Sequence, residues 1–294
     1  MTKEGPDVLA QEINRVISGY VETSPRNYCQ QFGGKFFDQP LVGFARGDDH
    51  IFDIIREEVG PESMSPGQAL NCSLKARGFA GELKEGEVSV ISWVLPISLL
   101  VREKNRAEKS GPAAEWSYTR SYGEEFNNDL RRRVIGWLES RGYLAAAPML
   151  LPEFRTIKDP DRRGFTSNWS ERHTAYACGL GTFSLNDALI TKRGIAHRVG
   201  SVVVNTALPE AHRPYEGHMD YCIAGRGCQA CIKRCPAGAI SGSGHDKNLC
   251  HEWTYSGEEA TAKRKLYGIP KTGCGLCQVG VPCEDRIPME AIVE

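Results

Sequence analysis

Eight of the chain's eleven cysteines fall between Cys222 and Cys283, at spacings that suit metal binding. The stretch "YCIAGRGCQACIKRCPAGAI" holds Cys228, two residues, Cys231, three residues, Cys235 and then Pro236. A tetranuclear iron–sulfur cluster needs four thiolates converging on a small cube. Short loops of this kind turn successive sulfurs inward, and the cysteine before the proline reaches a neighbouring cluster. On that pattern Cys235 joins Cys250, Cys274 and Cys277, which completes one set of four. Cys222, Cys228 and Cys231 remain for the other cluster, and Cys283 is the candidate for its missing thiolate. Both ends of this second set are irregular. Five residues separate Cys222 from Cys228 where two are usual, and Val281 stands where a cysteine normally precedes the proline, with Cys283 following Pro282 instead. In a reducing compartment such crowding points to metal rather than to disulfides. Two alternatives stay open. One is a degenerate site with a three-iron cluster or none, in which Cys222 and Cys283 are buried thiols. The other is a pair of four-cysteine zinc sites, which suit the C-x2-C pairs but not the C-x3-C-P step.

The elements that must hold these cysteines occupy the rest of a chain of 294 residues, long enough for two domains or for one with an appendage. Acidic and basic residues nearly balance, 37 against 36, so there is no overall electrostatic footprint for nucleic acid. The N-terminal stretch has neither a basic n-region nor an apolar h-region, and Leu9, Ile13, Val16, Ile17 and Tyr20 recur at helical spacing. No run of about 18 uncharged apolar residues occurs. The expectation is a cytoplasmic protein with no membrane partner.

Periodicity predicts helices over 7–20 and 50–60, a strand over 40–45 and a buried strand over 87–97. A helix from Gly123 places Phe126, Leu130, Val134, Trp137 and Leu138 on one face and ends at Gly142, with another strand expected in "YLAAAPML". Residues 152–170 are charged and aperiodic and read as a long loop. A short helix is expected over 171–178, and 188–208 alternates around Gly194 like a β-hairpin. After Pro214 the texture turns to Cys, Gly and short loops. The chain thus divides near 209–217, into a scaffold over 1–212 and a cluster-binding region over 213–294.

The stretch "ERHTAYACGLGTFSLNDALITKRG", followed by "GSVVVNTALP" and the cysteine run, resembles the epoxyqueuosine reductase family, which is related to the reductive dehalogenases. The matching features are Glu171 and Arg172, the turn Gly179, Leu180, Gly181, the segment from Asn186 to Ile190, Gly194, Gly200 and the cysteine order. The match is specific over about 171–283 and weaker before it. The resemblance implies an α/β (α+β) fold: a nitroreductase-like cobalamin-binding core carrying a C-terminal bacterial ferredoxin-like domain with two [4Fe–4S] clusters. It further implies an oxidoreductase that holds cobalamin next to the first cluster and reduces an electrophilic substrate, either a small molecule or tRNA. A low-potential donor such as ferredoxin or flavodoxin would supply its electrons. Read from the residues alone, "CGLGT" is a glycine-rich turn where backbone can approach a ligand closely.

One departure bears on chemistry. The family's proton-donating aspartate lies six residues before the Glu-Arg pair, and here that position is Phe165, which cannot deliver a proton. Replacement candidates are Glu153, Asp159 and Asp161 in the charged loop, and Tyr118 and Tyr122 before the long helix. The residues expected to contact a cofactor are Gly179, Leu180, Gly181, Asn186, His197 and Arg198. Cys29, Cys72 and Cys178 read as small core residues. "LRRRVIGWLESR" and "DRRGF" supply local positive charge for a tRNA substrate. The alternative function is an electron-transfer protein that feeds a partner and has no substrate of its own.

Overall fold

The β-branched run expected over 87–97 forms a strand, Ser89–Pro96, with all eight residues buried. It lies inside a sheet covered on both faces. The structure is a computed structural model that describes residues 5–159 and 164–289, without the side chain of Asp159. In chain order the strands are β1 (Tyr28–Cys29), β2 (Gly34–Lys35), β3 (Leu41–Arg46), β4 (Ser89–Pro96), β5 (Ala145–Ala146), β6 (Thr156–Asp159), β7 (Gly164–Ser167), β8 (Gly181–Phe183), β9 (Leu189–Thr191), β10 (His197–Val204), β11 (Ile240–Ser241) and β12 (Gly244–His245). The helices are α1 (Pro6–Thr23), α2 (Ile51–Val59), α3 (Pro66–Ala76), α4 (Leu99–Ala107), α5 (Ala114–Glu139), α6 (Glu171–Ala177), α7 (Ala230–Arg234), α8 (Lys247–His251) and α9 (Glu258–Tyr267).

The main sheet runs β3-β4-β10-β5. Every described strand pairing is antiparallel, which makes the fold α+β rather than a parallel α/β sheet. On one face α1 buries Leu9, Ile13, Ile17 and Val21, and α5 buries Phe126, Leu130, Val134 and Leu138. This spacing of four residues puts each set on one side of its helix. Gly200 of β10 makes room for this core: a Cβ there would lie 2.6 Å from the Trp93 indole. The other face carries a second cluster around Leu70, Leu74, Val90 and Val203.

The long helix α5 starts nine residues before its apolar period does, at Ala114 rather than Gly123. Its first turns bury Ser117, Thr119, Ser121 and Gly123 against neighbouring chain, with the Ser121 hydroxyl donating to the Lys271 carbonyl at 2.6 Å. Small polar contacts of that kind leave no apolar period. The helix ends as expected. Gly142, at φ +81°, donates to Glu139 O, and Tyr143 donates to Leu138 O, the two bonds of a Schellman motif.

Three other expectations are corrected. Residues 188–208 are not a hairpin: β9 pairs with β8 and β10 with β4, while Gly194 only turns the chain between them. The stretch read as a loop over 152–170 contains the β6–β7 hairpin, and "YLAAAPML" contributes only the two residues of β5. Helix α8 runs straight into a π turn, Glu252–Ser256, a local irregularity often found at functional sites.

Candidate functional site

Cys222, Cys228, Cys231 and Cys283 line a single cavity walled by Ile190, Ile195 and Val281. Local structure brings them together. The turn Ile223–Arg226 ends on Gly227 at φ +92°, which returns the chain to Cys228, and α7 carries Cys231. Cys283 is fastened from the sheet side, where the Ile195 N–H donates to its carbonyl at 2.9 Å. Gly194 permits that approach: at φ +79°, its missing Cβ would lie 2.2 Å from Glu284 O. Burial, with Cys222 and Cys228 or Cys231 beside them, pushes the Cys231 thiol up to about 11 and Cys283 to about 12. Four thiolates crowded this way need cations to compensate them, so the donor set fits a metal cluster.

Cys235, Cys250, Cys274 and Cys277 form the other group. Burial raises Cys274 and Cys277, and both feel Cys250 and Cys235. Polar bonds hold this group. Asn186 Nδ2 donates to Cys277 O at 3.0 Å, Asn105 Nδ2 to Cys274 O at 3.1 Å, and the Ala239 N–H to Cys235 Sγ at 3.3 Å. Arg234 Nε donates to the Leu276 and Val279 carbonyls at 3.2 and 3.1 Å. Burial would raise Cys250 too, but His245, itself on Asp187 at 3.2 Å, outweighs it and lowers that thiol. Among the described residues, no three His, Cys, Asp or Glu side chains close on a single-ion site.

Beside the second group lies a charged cleft along the edge of β10, which β5 pairs only at Val203 and Val204. Here α5 supplies the partners. Asn127 Nδ2 and Arg131 donate to the free Val199 carbonyl at 2.9 and 3.2 Å. Arg131, 1% exposed, also bonds Glu124 and Glu171 at 3.0 Å each, and Arg198 pairs with Glu124. Burial alone would raise Glu124, but Arg198 and Arg131 hold it down at about 2. Glu171 goes the other way: burial raises it despite Arg131, and its Oε2 has no partner. Tyr255, in the π turn, accepts from Arg120 Nε at 3.4 Å. Phe165 stacks on His251 at 4.4 Å, and that ring lies 5.3 Å from Tyr255. The position of the family's acid thus lies beside the group that contains Cys250, the second one. The sequence expectation had put the first cluster nearest the reactive centre.

The other sequence candidates are dispersed. Tyr118 and Tyr122 stack on each other within α5 and pack against the main core. They lie inside the long helix, not before it. Glu153 is an exposed turn residue, and Asp161 and the Asp159 side chain lie outside the described residues. The G-L-G turn is occupied by chain: a Cβ on Gly179 would meet His212 O at 2.2 Å, one on Gly181 would meet Ile190 O at 2.1 Å, and Leu180 packs in the second core cluster. Those three positions therefore show no cradle for a cofactor. His197 Nε2 donates to Leu189 O at 2.7 Å, tying β10 to β9, and burial lowers the ring to about 4. Of the predicted cofactor contacts, Arg198 reaches the charged cleft and Asn186 reaches the cysteines. Glu124, Arg131 and Tyr255 were not anticipated. The only available signal was the spacing of seven between Glu124 and Arg131, which puts both on one helix face.

No family model matches the chain, and no curated protein does. Among solved structures it is similar to a selenomethionine-labelled epoxyqueuosine reductase, with TM-score 0.51 and 16% identity over 94% of this chain and 66% of that one. It is equally similar to epoxyqueuosine reductase with an epoxyqueuosine-modified tRNA-Tyr stem loop, with TM-score 0.50, 16% identity and the same coverage of 94% and 66%. A catabolic reductive dehalogenase in complex with 3-bromo-4-hydroxybenzoic acid gives TM-score 0.49 and 13% identity over 96% of this chain and 38% of that one. The chain spans just under two thirds of the reductases it matches. At this identity the likeness is one of architecture, and the chain has the fold of the epoxyqueuosine reductases, as the resemblance over 171–283 implies.

Proposed function

We propose that the chain is an iron–sulfur oxidoreductase of the epoxyqueuosine reductase-like kind, with a scaffold over 1–212 and a cluster-binding region over 213–294. Cys222, Cys228, Cys231 and Cys283 hold one [4Fe–4S] cluster, and Cys235, Cys250, Cys274 and Cys277 hold the other. The observation that carries this reading is the separation of eight cysteines into two spatial groups of four, the same sets that the spacing suggests. The clusters supply one-electron transfer at low potential. The second group delivers electrons to the charged cleft, where an electrophilic substrate is reduced.

The chain's own residues prepare that cleft. Glu124 stays ionised between Arg198 and Arg131, which fixes a field along the β10 edge. Among the carboxyl groups there, Glu171 is the one that burial moves toward its protonated form. Its unpartnered Oε2 is the atom to hold the proton that Phe165 cannot. Cobalamin belongs to the proposal through the fold alone. When bound it supplies a strong reductant, and Arg198, which is only partly buried, is the polar group along the cleft that would face it.

For a tRNA substrate the arginine run offers exposed Arg133, since Arg131 is buried and Arg132 is paired with Asp129, while Arg162 and Arg163 lie outside the described residues. The second reading, a carrier that feeds a partner, draws on the Phe165–His251 stack. Anaerobic reconstitution followed by iron, sulfide and cobalt counts and an EPR spectrum tests the first reading. About eight iron atoms are expected. Absence of iron overturns it, and absence of retained cobalt removes the cobalamin half. Turnover of any small molecule with a chemical reductant removes the carrier reading.

A further inference from the structure

The geometry points to a docking surface for a small acidic electron-carrier protein on the face that holds Cys222, Cys228, Cys231 and Cys283. This rests on the proposal that these cysteines bind a redox cluster. The cavity they line is bordered by the turn Ile223–Arg226 and by Pro282, and none of the charged residues around Arg198 and Glu171 lines it. Electrons bound for the cleft therefore enter at this face and leave from the second group.

The rim around it is basic. Lys192 and Arg193, both exposed, sit in the turn that Gly194 presses onto Glu284 and Asp285, three and two residues before the Ile195 that fastens Cys283. Arg226, also exposed, closes the opposite turn. Two of the carboxylates nearby are already engaged. Glu284 is held by Arg102 and Arg106, and Asp285 by Arg102 and Arg286. Among the described residues Lys192, Arg193 and Arg226 have no acidic partner. Inside this rim the cavity is walled by apolar side chains, and Pro282 is exposed beside it. An apolar centre within unpaired cations is the complement of a carrier whose redox centre lies beneath an acidic rim. Such encounters are small and electrostatically steered. One electron leaves the carrier and enters the cluster, and no proton moves and no bond breaks.

The test uses an acidic plant-type [2Fe–2S] ferredoxin as the probe and the anaerobically reconstituted full chain. We expect binding that weakens steeply with salt, and at least a tenfold loss of affinity at low ionic strength in the K192E/R193E/R226E variant. Iron content and reduction by dithionite should match the parent protein. A parent chain that does not bind the ferredoxin, or a variant that binds equally well, overturns the docking surface. Should the variant lose iron, the salt dependence of the parent decides. A parent that binds ferredoxin but carries no iron refutes the cluster reading and leaves the surface standing.

Discussion

Cys222, Cys228, Cys231 and Cys283 meet between the hydrocarbon walls of Ile190, Ile195 and Val281, whereas Cys235, Cys250, Cys274 and Cys277 are gripped by Asn105, Asn186, Arg234 and His245. The first group opens toward a basic surface, and the second adjoins a buried charge network. An apolar shell disfavours added charge on a cluster, while hydrogen-bond donors to the sulfurs and nearby cations favour it. With clusters in both groups, as proposed, the second would be the better electron acceptor, and reducing equivalents would run downhill from surface to cleft. The irregular spacings fall on the outer group alone. There the turn at Gly227 and the clasp at Gly194 supply the convergence that short regular loops would otherwise give.

The largest effect expected is on iron. Cys277→Ala should lose the inner cluster, about half of the iron, and Cys283→Ala should lose or convert only the outer one, read by iron and sulfide counts with EPR. A Cys283→Ala protein that keeps all its iron and both cluster spectra would break the pairing. Next, Arg131→Met leaves Glu171 without its buried counter-charge and Glu124 with Arg198 alone, and should cost about 3–5 kcal/mol in denaturant unfolding. It should leave the outer cluster's spectrum unchanged, and a matched loss of both spectra would mean that the two groups are not separately supported.

Acid should then loosen the wall of the outer cavity. His197 is held at about 4 when folded, below its ordinary 6.5, so on acidification the unfolded chain takes up the proton first. The stability this contributes is fully present above about pH 6.5 and is lost as pH falls toward 4, roughly 3 kcal/mol in all. Glu124, at about 2 against its usual 4.5, adds a further loss below pH 4.5. Burial holds His173 at about 4 as well. Urea unfolding of the parent and of His197→Gln between pH 7 and 4 therefore separates the two rings, and its extension toward pH 2 measures Glu124. A variant with the parent's full slope above pH 4.5 would contradict the assignment to His197. Smallest, Asn186→Ala should cost about 1–2 kcal/mol by stripping the Cys277 carbonyl of its donor. Its effect should appear in the inner cluster's spectrum before the outer one's.

The sequence suggested the two cysteine sets because ligand spacing is local, and the structure brings the residues of the irregular set around one cavity. The sheet was legible in its parts but not in its pairings. The partner of β10 is β4, with Ser201 facing Ser92 across more than a hundred residues, and the alternation around Gly194 suggested a nearer partner. The first turns of α5 escaped notice because the positions they bury are small, Ser117, Ser121 and Gly123, and small residues carry no apolar period. The charged cleft was visible only as Arg198. Its other members come from α5, α6 and the π turn, and nothing in their spacing says that they converge. The glycine turn at 179–181 read as a ligand site because glycine permits close approach, and what approaches there is the chain itself.

The π turn at Glu252–Ser256 gives the stretch after Cys250 one residue more than a regular helix would use. That residue works as a phase setting. Deleting one position within 252–254 would restore an ordinary helix and bring Tyr255 one residue closer to Cys250 along it. Cys250 would stay where it is, while the phenol that now meets Arg120 would face another way. The inner thiols and the cleft could then be uncoupled without touching a single ligand.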